Sequence, residues 1–338
     1  CGREGVPALT EPMVLVADDL TPSETVALDK NNILAFVTRQ GSANSHTAIL
    51  ARIMNIPSLV QADVPSGEKL HGRMIAVDGF TGEYFLDPDE ATVARLREKR
   101  RADTEQRRAL DAVRGLPSVT KSGRQVRLYA NIGGPEDVPA VLFNDAEGVG
   151  LFRSEYLFMG RDNLPDEREQ MESYRELIDT MAGRPVTIRT IDVGGDKLLN
   201  AEARKRNYFS GAEKEDNPAL GLRAIRFTLA NPNLFITQIR AILRAAYGAD
   251  VRIMLPMISS LQEIREAKRY VELAKTQLRE EKLDFNDTVP VGIMIELPAA
   301  VICAEELLAE ADFASLGTND LIQYTLGVDR GNPSVAPL

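Results

Sequence analysis

Two rhythms of apolar and polar positions divide the chain. Over residues 1–88, short apolar runs alternate with helical stretches: MVLVAD (13–18), ILAFVT (33–38), SLVQA (58–62), MIAVDG (74–79) and EYFLD (83–87). Runs of this length, rich in Val, Ile and Phe and bounded by Gly and Pro, predict strands. TPSETVALDK and SHTAILARIMN between them predict helices, so 1–88 reads as a compact α/β domain. Residues 89–115 then hold few apolar positions (Val93, Leu96, Leu110, Val113), with acids at the start and arginines in the middle and end. That charge order suits a helix dipole and predicts a polar helix of the kind that bridges domains or lies on a surface. Gly115 and Pro117 end it, giving a helical linker over 89–117.

From residue 118 the rhythm becomes strand, then helix. Strand candidates are VRLYANI (126–132), GVGLF (148–152), VTIRTID (186–192), VRIMLPMI (251–258), VPVGIMIEL (289–297) and FASLGTND (313–320). DEREQMESYRELIDTMA, PNLFITQIRAILRAAY and SLQEIREAKRYVELAKTQLREEK separate them with helical periodicity. Continuous apolar strands between amphipathic helices predict a parallel sheet covered by helices. Six such units suggest an incomplete (β/α)8 TIM-type barrel over 118–338, six of eight strands, with an open doubly wound sheet as the alternative.

Composition narrows the function. A chain of 338 residues suits about two domains, and 44% apolar content can fill their cores. A net charge of -10 argues against nucleic acid or an anionic membrane as the main partner, although arginines gathered locally can still hold an anion. No apolar run approaches the ~20 residues of a membrane helix, which excludes direct membrane insertion. The start, CGREGVPALTEPM, lacks a signal-peptide pattern, and two cysteines, Cys1 and Cys303, make neither a disulfide framework nor a zinc site. These features predict a cytoplasmic protein. Cys303, in PAAVICAEELLAE, reads as core packing. The absence of an initial Met and the stop at SVAPL read as cut ends.

The candidate chemistry starts from two histidines. His46 lies in GSANSHTAILAR, a turn of small residues running into an apolar helix that Asn44 or Ser45 can cap. Near a first helical turn, free N–H groups and the dipole favour a bound phosphate, and imidazole is a competent nucleophile near neutral pH. Taken alone, an SHT of this kind reads more readily as a capping histidine without chemistry. His71, in GEKLHGRMIAVDG, reads as structural or solvent-exposed. In the second half, polar residues end successive strands: Arg153, Arg189 with Asp192, Glu296, and Asn319 with Asp320. In a barrel these ends converge on the active-site face. Glu296 and Asp320 offer hard oxygens suited to Mg²⁺. Arg153 and Arg189, joined by Arg330, offer planar donors for phosphate and carboxylate.

At this point the motifs resemble a family over essentially the whole chain: enzyme I of the bacterial sugar phosphotransferase system. DDLTPSET, SHTAILAR and IPSLV resemble its phosphohistidine swivelling domain. ANIG, AEGVGLFRSEYLFM, TIRTIDVGGDK, NPALGLRAIRF, LPMI, IMIELPAA and SLGTNDLIQYTLGVDR resemble its phosphoenolpyruvate-binding barrel. The resemblance implies phosphoryl transfer from phosphoenolpyruvate to His46 and on to the histidine carrier protein HPr. It implies substrate contacts from Arg153, Arg189, Arg330, Asn319 and Asp320, with Arg223 and Lys197 bordering the pocket and Thr25 near the phosphohistidine loop. It also implies Mg²⁺ on Glu296 and Asp320, and a homodimer at full length. The sequence departs from the pattern in four places. Gly-Ser-Ala-Asn-Ser-His replaces Gly-Gly-x-Thr-Ser-His, and the stretch from Lys197 to Asn217 is longer than expected. Neither a carrier-docking helical subdomain nor the Gly-x-Cys-Gly-Glu motif, whose cysteine protonates the enolate, is found in the sequence. This chain alone is therefore expected to turn over phosphoenolpyruvate poorly. Two other readings stand beside it: a dikinase or phosphoenolpyruvate synthase relative, for which no ATP-grasp segment is found, and a truncated, non-catalytic phosphoenolpyruvate-binding fragment.

Overall fold

The structure, a computed structural model, describes residues 11–18, 32–40, 48, 51, 56–65, 70–159, 161–194, 215–329, 332 and 335. It divides into two compact units, Cys1–Val113 and Arg114–Leu338.

In the first unit, β1 (Met13–Ala17), β2 (Ile33–Thr38) and β3 (Ser58–Leu59) form a parallel sheet in sequence order. β4 (Ile75–Asp78) and β5 (Glu83–Leu86) form an antiparallel hairpin. Adjacent side chains point to opposite faces of a strand, so Phe36 and Val37 feed two cores: Phe36 packs with Ile33 and Ala51, while Val37 packs with Leu59, Val64 and Leu70. The predicted strand 58–62 pairs only at Ser58–Leu59. The polar helix forms as α1 (Glu90–Ala112), capped by Asp89, whose side chain accepts from the Thr92 N–H. No residue of α1 is buried. Lys99 pairs with Asp78 at the end of β4 and lies 5.3 Å from the Phe80 ring centroid, while the Arg95 guanidinium lies 5.5 Å from that of Phe85. Charged stems on aromatic faces thus attach a helix that has no apolar stripe of its own.

In the second unit, β6 (Tyr129–Ile132), β7 (Gly148–Arg153), β8 (Val186–Arg189), β9 (Val251–Leu255), β10 (Val291–Ile295) and β11 (Ala314–Leu316) form one curled sheet. Every neighbouring pair is parallel and consecutive in sequence, with β6 and β11 at the edges. A doubly wound sheet reverses its strand order at a switch point, whereas sequential order is that of a (β/α) barrel. The described strands therefore form part of a TIM-type barrel, as the sequence suggested. β8 and β10 are buried at every position; β10 accordingly reads as an unbroken apolar run, whereas β8 also buries Thr187 and Arg189.

The crossover elements are α2 (Val138–Phe143), α3 (Glu167–Thr180), α4 (Ala224–Ala230), α5 (Pro232–Ala245), α6 (Leu261–Glu280), α7 (Pro298–Ile302), α8 (Ala304–Glu310) and α9 (Thr318–Leu326). Asp166 caps α3, and a Ser260–Glu263 capping box starts α6. The stretch after β10, expected as one helix, breaks at Cys303 into α7 and α8, and Cys303 is exposed rather than core. Each short helix has only one inward residue, Ala300 and Leu307, so the junction between them faces out. His71 is exposed in a turn. Among the described residues, no helix is long and apolar enough to cross a membrane.

Candidate active site

Parallel strands that run the same way deliver their C-terminal ends to one rim. There they enclose a cavity of about 750 Å³. Arg153 ends β7, Arg189 ends β8, Glu296 follows β10, and Asn319 with Asp320 lie in the first turn of α9 after β11; all five line it, joined by Arg223. Six of the sequence-predicted site residues are thus brought together. His46, Lys197, Arg330 and Thr25 lie outside the described residues.

Four of the cavity's charges form a ladder. Arg189 Nη2 donates to Glu155 Oε1 at 3.0 Å, and its Nη1 lies 2.7 Å from Asp192 Oδ2. Arg223 Nη2 donates to Asp192 Oδ1 at 2.8 Å, so Asp192 orients both guanidinium groups. Glu155 also accepts the Asp192 backbone N–H at 2.8 Å. Arg189, Asp192 and Glu155 are all buried, and ion pairs this dry persist only when their remaining donors and acceptors are matched. The match is incomplete: Arg189 Nε and Arg223 Nε are buried without a protein partner. Burial opposes the charged form of Arg189, but Asp192, Glu155 and Glu296 outweigh it and hold its pKa above the ordinary value. Burial, reinforced by Asp192, pushes the Glu155 pKa up despite the opposing pull of Arg189.

Glu296 is a second carboxylate in the cavity whose pKa burial raises. Its side chain is 1% exposed and accepts the Met257 N–H at 2.5 Å. Burial first, then the like charges of Asp192 and Asp320, raise its pKa to about 8, against the pull of that hydrogen bond and of Arg189. Two local backbone features serve this corner. Met257, after Pro256, holds φ +56°, a left-handed conformation costly for a side-chain-bearing residue, and so directs its N–H at Glu296. Gly317 admits Glu296 because a Cβ there would lie 2.6 Å from Glu296 Oε2.

Reading the sequence alone assigned no role to Glu155, although it stands two residues after Arg153 in the same motif. It noted Asp192 as a strand-end residue without a task. Met257 and Ala224 were also missed; both hold positive φ, at +56° and +53°, directly beside site residues. Among the described residues, no three His, Cys, Asp or Glu side chains are grouped to cage a metal by themselves.

Residues 107–338 match the phosphoenolpyruvate-binding domain of phosphoenolpyruvate-utilising enzymes, and residues 9–82 match their mobile domain. The phosphoenolpyruvate-protein phosphotransferase of Staphylococcus carnosus (strain TM300) is 41% identical over 328 residues, covering 97% of this chain and 56% of that protein. The one from Priestia megaterium is 42% identical over 330 residues, covering 98% of this chain and 56% of its own length. The chain thus spans about half the length of these curated relatives. A solution structure of Enzyme I (nEIt) protein is 38% identical and covers 28% of this chain and 39% of its own, with a TM-score of 0.27, too loose a superposition to bear on fold or function. Taken with the arginine and carboxylate rim, the two domain matches make the chain a member of the phosphoenolpyruvate-utilising enzymes.

Proposed function

We propose that the cavity of the second unit binds phosphoenolpyruvate and Mg²⁺, and that the phosphoryl group passes to His46 and then to the histidine carrier protein HPr, the first step of a sugar phosphotransferase system. The observation that carries this reading is the convergence of Arg153, Arg189 and Arg223 with Glu296 and Asp320 on one cavity. Guanidinium groups match phosphate and carboxylate oxygens two at a time. Arg153, exposed at the rim, meets the ligand first, while the ladder through Glu155 and Asp192 holds Arg189 and Arg223 in place before it arrives.

The donor set fits Mg²⁺. Glu296 and Asp320 supply hard oxygens, and four carboxylates face three guanidinium groups among the described residues lining the cavity. A cation arriving with a phosphorylated carboxylate would displace the proton that Glu296 otherwise holds up to about pH 8 and offset the charge of the ionised carboxylates. Bound there, Mg²⁺ supplies charge neutralisation on the transferring group and on the enolate oxygen. Asn319 and Asp320 contact the substrate from the start of α9, and Arg330 and Lys197, outside the described residues, complete the cationic side. In the transfer, the bond from phosphorus to the enolate oxygen breaks as a bond to the His46 imidazole nitrogen forms. The enolate then takes a proton to give pyruvate. The reading places the enzyme in the cytoplasm, as a homodimer at full length.

Incubating the full-length protein with labelled phosphoenolpyruvate and Mg²⁺ tests this. Label is expected on wild type and on His71→Ala, and absent from His46→Ala. Label retained by His46→Ala overturns the assignment of the acceptor.

A further inference from the structure

A buried amide far from the cavity in sequence joins the two strand ends that carry most of the ladder. Gln238, on α5, is 0% exposed, as are Ser154, Tyr174 and Ile191. Its Oε1 accepts the Ile191 N–H at 3.1 Å. Its Nε2 donates to Ser154 Oγ at 2.9 Å and to Tyr174 OH at 3.1 Å. Ser154 Oγ in turn donates to the Arg189 carbonyl at 2.7 Å, directly bridging β7 to β8.

Every polar atom of this amide is used, and the direction of each bond is set. Ser154 stands between Arg153 and Glu155, and Ile191 between Arg189 and Asp192. One side chain therefore holds the backbone of one charged pair, at Ile191, and the hydroxyl within the other, at Ser154. A purely apolar layer would fill the same space, since Phe152, Ile188 and Phe235 are equally buried nearby in the core. A polar side chain in a dry core is costly unless each bond is made, and here each bond leads toward the cavity rim or supports one that does.

We infer that Gln238 is a positioning residue for phosphoenolpyruvate binding: with Ser154 it sets the spacing of the Arg153–Glu155 and Arg189–Asp192 pairs without touching the ligand. The inference rests on the proposed phosphoenolpyruvate reading of the cavity. Small displacements of groups that act together weaken binding or turnover sharply, and removal of orienting partners behind a site costs roughly tenfold to hundredfold. Gln238→Met retains length and volume while deleting all three bonds. Gln238→Glu keeps the shape but replaces the NH₂ donor with an acceptor, so Ser154 must turn its proton away from the Arg189 carbonyl. Tyr174→Phe removes the hydroxyl that accepts from Gln238 Nε2 and leaves the bonds of Gln238 to Ser154 Oγ and the Ile191 N–H in place.

The experiment measures Mg²⁺-dependent phosphoenolpyruvate binding to the whole chain by calorimetry, alongside thermal melting, for these three variants and for Arg189→Lys. Both Gln238 variants should bind about tenfold to hundredfold more weakly, whereas Tyr174→Phe should stay within about twofold. Combining Gln238→Glu with Arg189→Lys should weaken binding far less than the product of the two single effects, because both act through one guanidinium. Wild-type affinity in both folded Gln238 variants overturns the inference, as does full multiplicativity with Arg189→Lys. Absence of binding by the wild-type chain would instead count against the function proposed above.

Discussion

Asp78 in the first unit and Glu296 in the second are both buried carboxylates at the C-terminal end of a β-strand, 4% and 1% exposed. Around Asp78 the chain supplies everything a carboxylate needs. Its Oδ1 accepts the N–H groups of Phe80 at 3.0 Å and Thr81 at 3.4 Å, and its Oδ2 pairs with Lys99 from α1. Burial alone would raise its pKa, but the Lys99 and backbone bonds outweigh it and hold the group below its ordinary value. Glu296 receives one backbone N–H and faces two like charges, and its pKa climbs to about 8. A carboxylate whose lone pairs are filled by its own fold serves the fold. One left short of positive charge, inside a cavity edged with arginines, is set up for something that arrives from outside.

The largest expected effect tests the second unit. Arg189→Met leaves Glu155 without a cation in a dry site, beside an Asp192 that keeps only Arg223, and breaking a buried pair in this way costs about 3–5 kcal/mol. Urea denaturation should show that loss in the transition of the second unit, together with loss of phosphoenolpyruvate binding. If the midpoint stays unchanged, the ladder is not holding the strand ends.

Glu296 comes next, through its pH dependence. Its unfolded-state value is near 4.5 and its folded value about 8, so between them the folded chain keeps a proton that the unfolded chain has lost. Its contribution to stability is therefore complete below pH 4.5 and disappears as pH rises through 8. Without divalent cations, wild-type stability should fall across that window by at most about 1.4 kcal/mol per pH unit from this group. Glu296→Gln should flatten the slope and should also lose stabilisation by added Mg²⁺. Parallel pH profiles for the two proteins would remove the contrast with Asp78.

The opposite sign is expected at Asp78. Its folded value is depressed, so its contribution is present above the unfolded value of 3.8 and is lost as pH falls through the folded one. Asp78→Asn should lower the unfolding free energy of the first unit by about 1–2 kcal/mol near neutral pH and leave phosphoenolpyruvate binding by the second unit intact. The smallest effect is expected from Arg101→Ala, which deletes a pair with Glu105 whose side chains are 70% and 61% exposed. Such a pair on a helix surface contributes almost nothing, so the midpoint should not move beyond experimental error.

The part of this design legible in the sequence is the part encoded by period and direction. An apolar run without alternation at 291–295 marks a strand buried on both faces, as β10 is, whereas 186–189 alternates Val and Ile with Thr and Arg and is nonetheless buried throughout. Chain direction carries their last residues to a common rim, so Arg153, Arg189, Glu296 and Asp320 could be picked out before any coordinates. Boundaries were less legible: the 58–62 run pairs in ladder register for only two residues, because Gln61 turns to φ +55° and leaves Ala62 a single bond to the Thr38 carbonyl. The exposure of Cys303 was misjudged because an apolar stretch with one inward residue per short helix resembles a buried helix when read as a line.

What the sequence determined by itself is therefore the alternation of strands and helices, the polar character of 90–112, and the set of charged residues delivered to the strand ends. The tertiary structure decided sequential strand order over a doubly wound sheet, and it decided the partners. Asp192 reaches across 31 positions to Arg223, and Gln238 reaches across 84 to Ser154. Periodicity reports which face a residue presents, whereas a hydrogen bond depends on distances of about 3 Å that exist only once the sheet has curled and α5 has packed behind it.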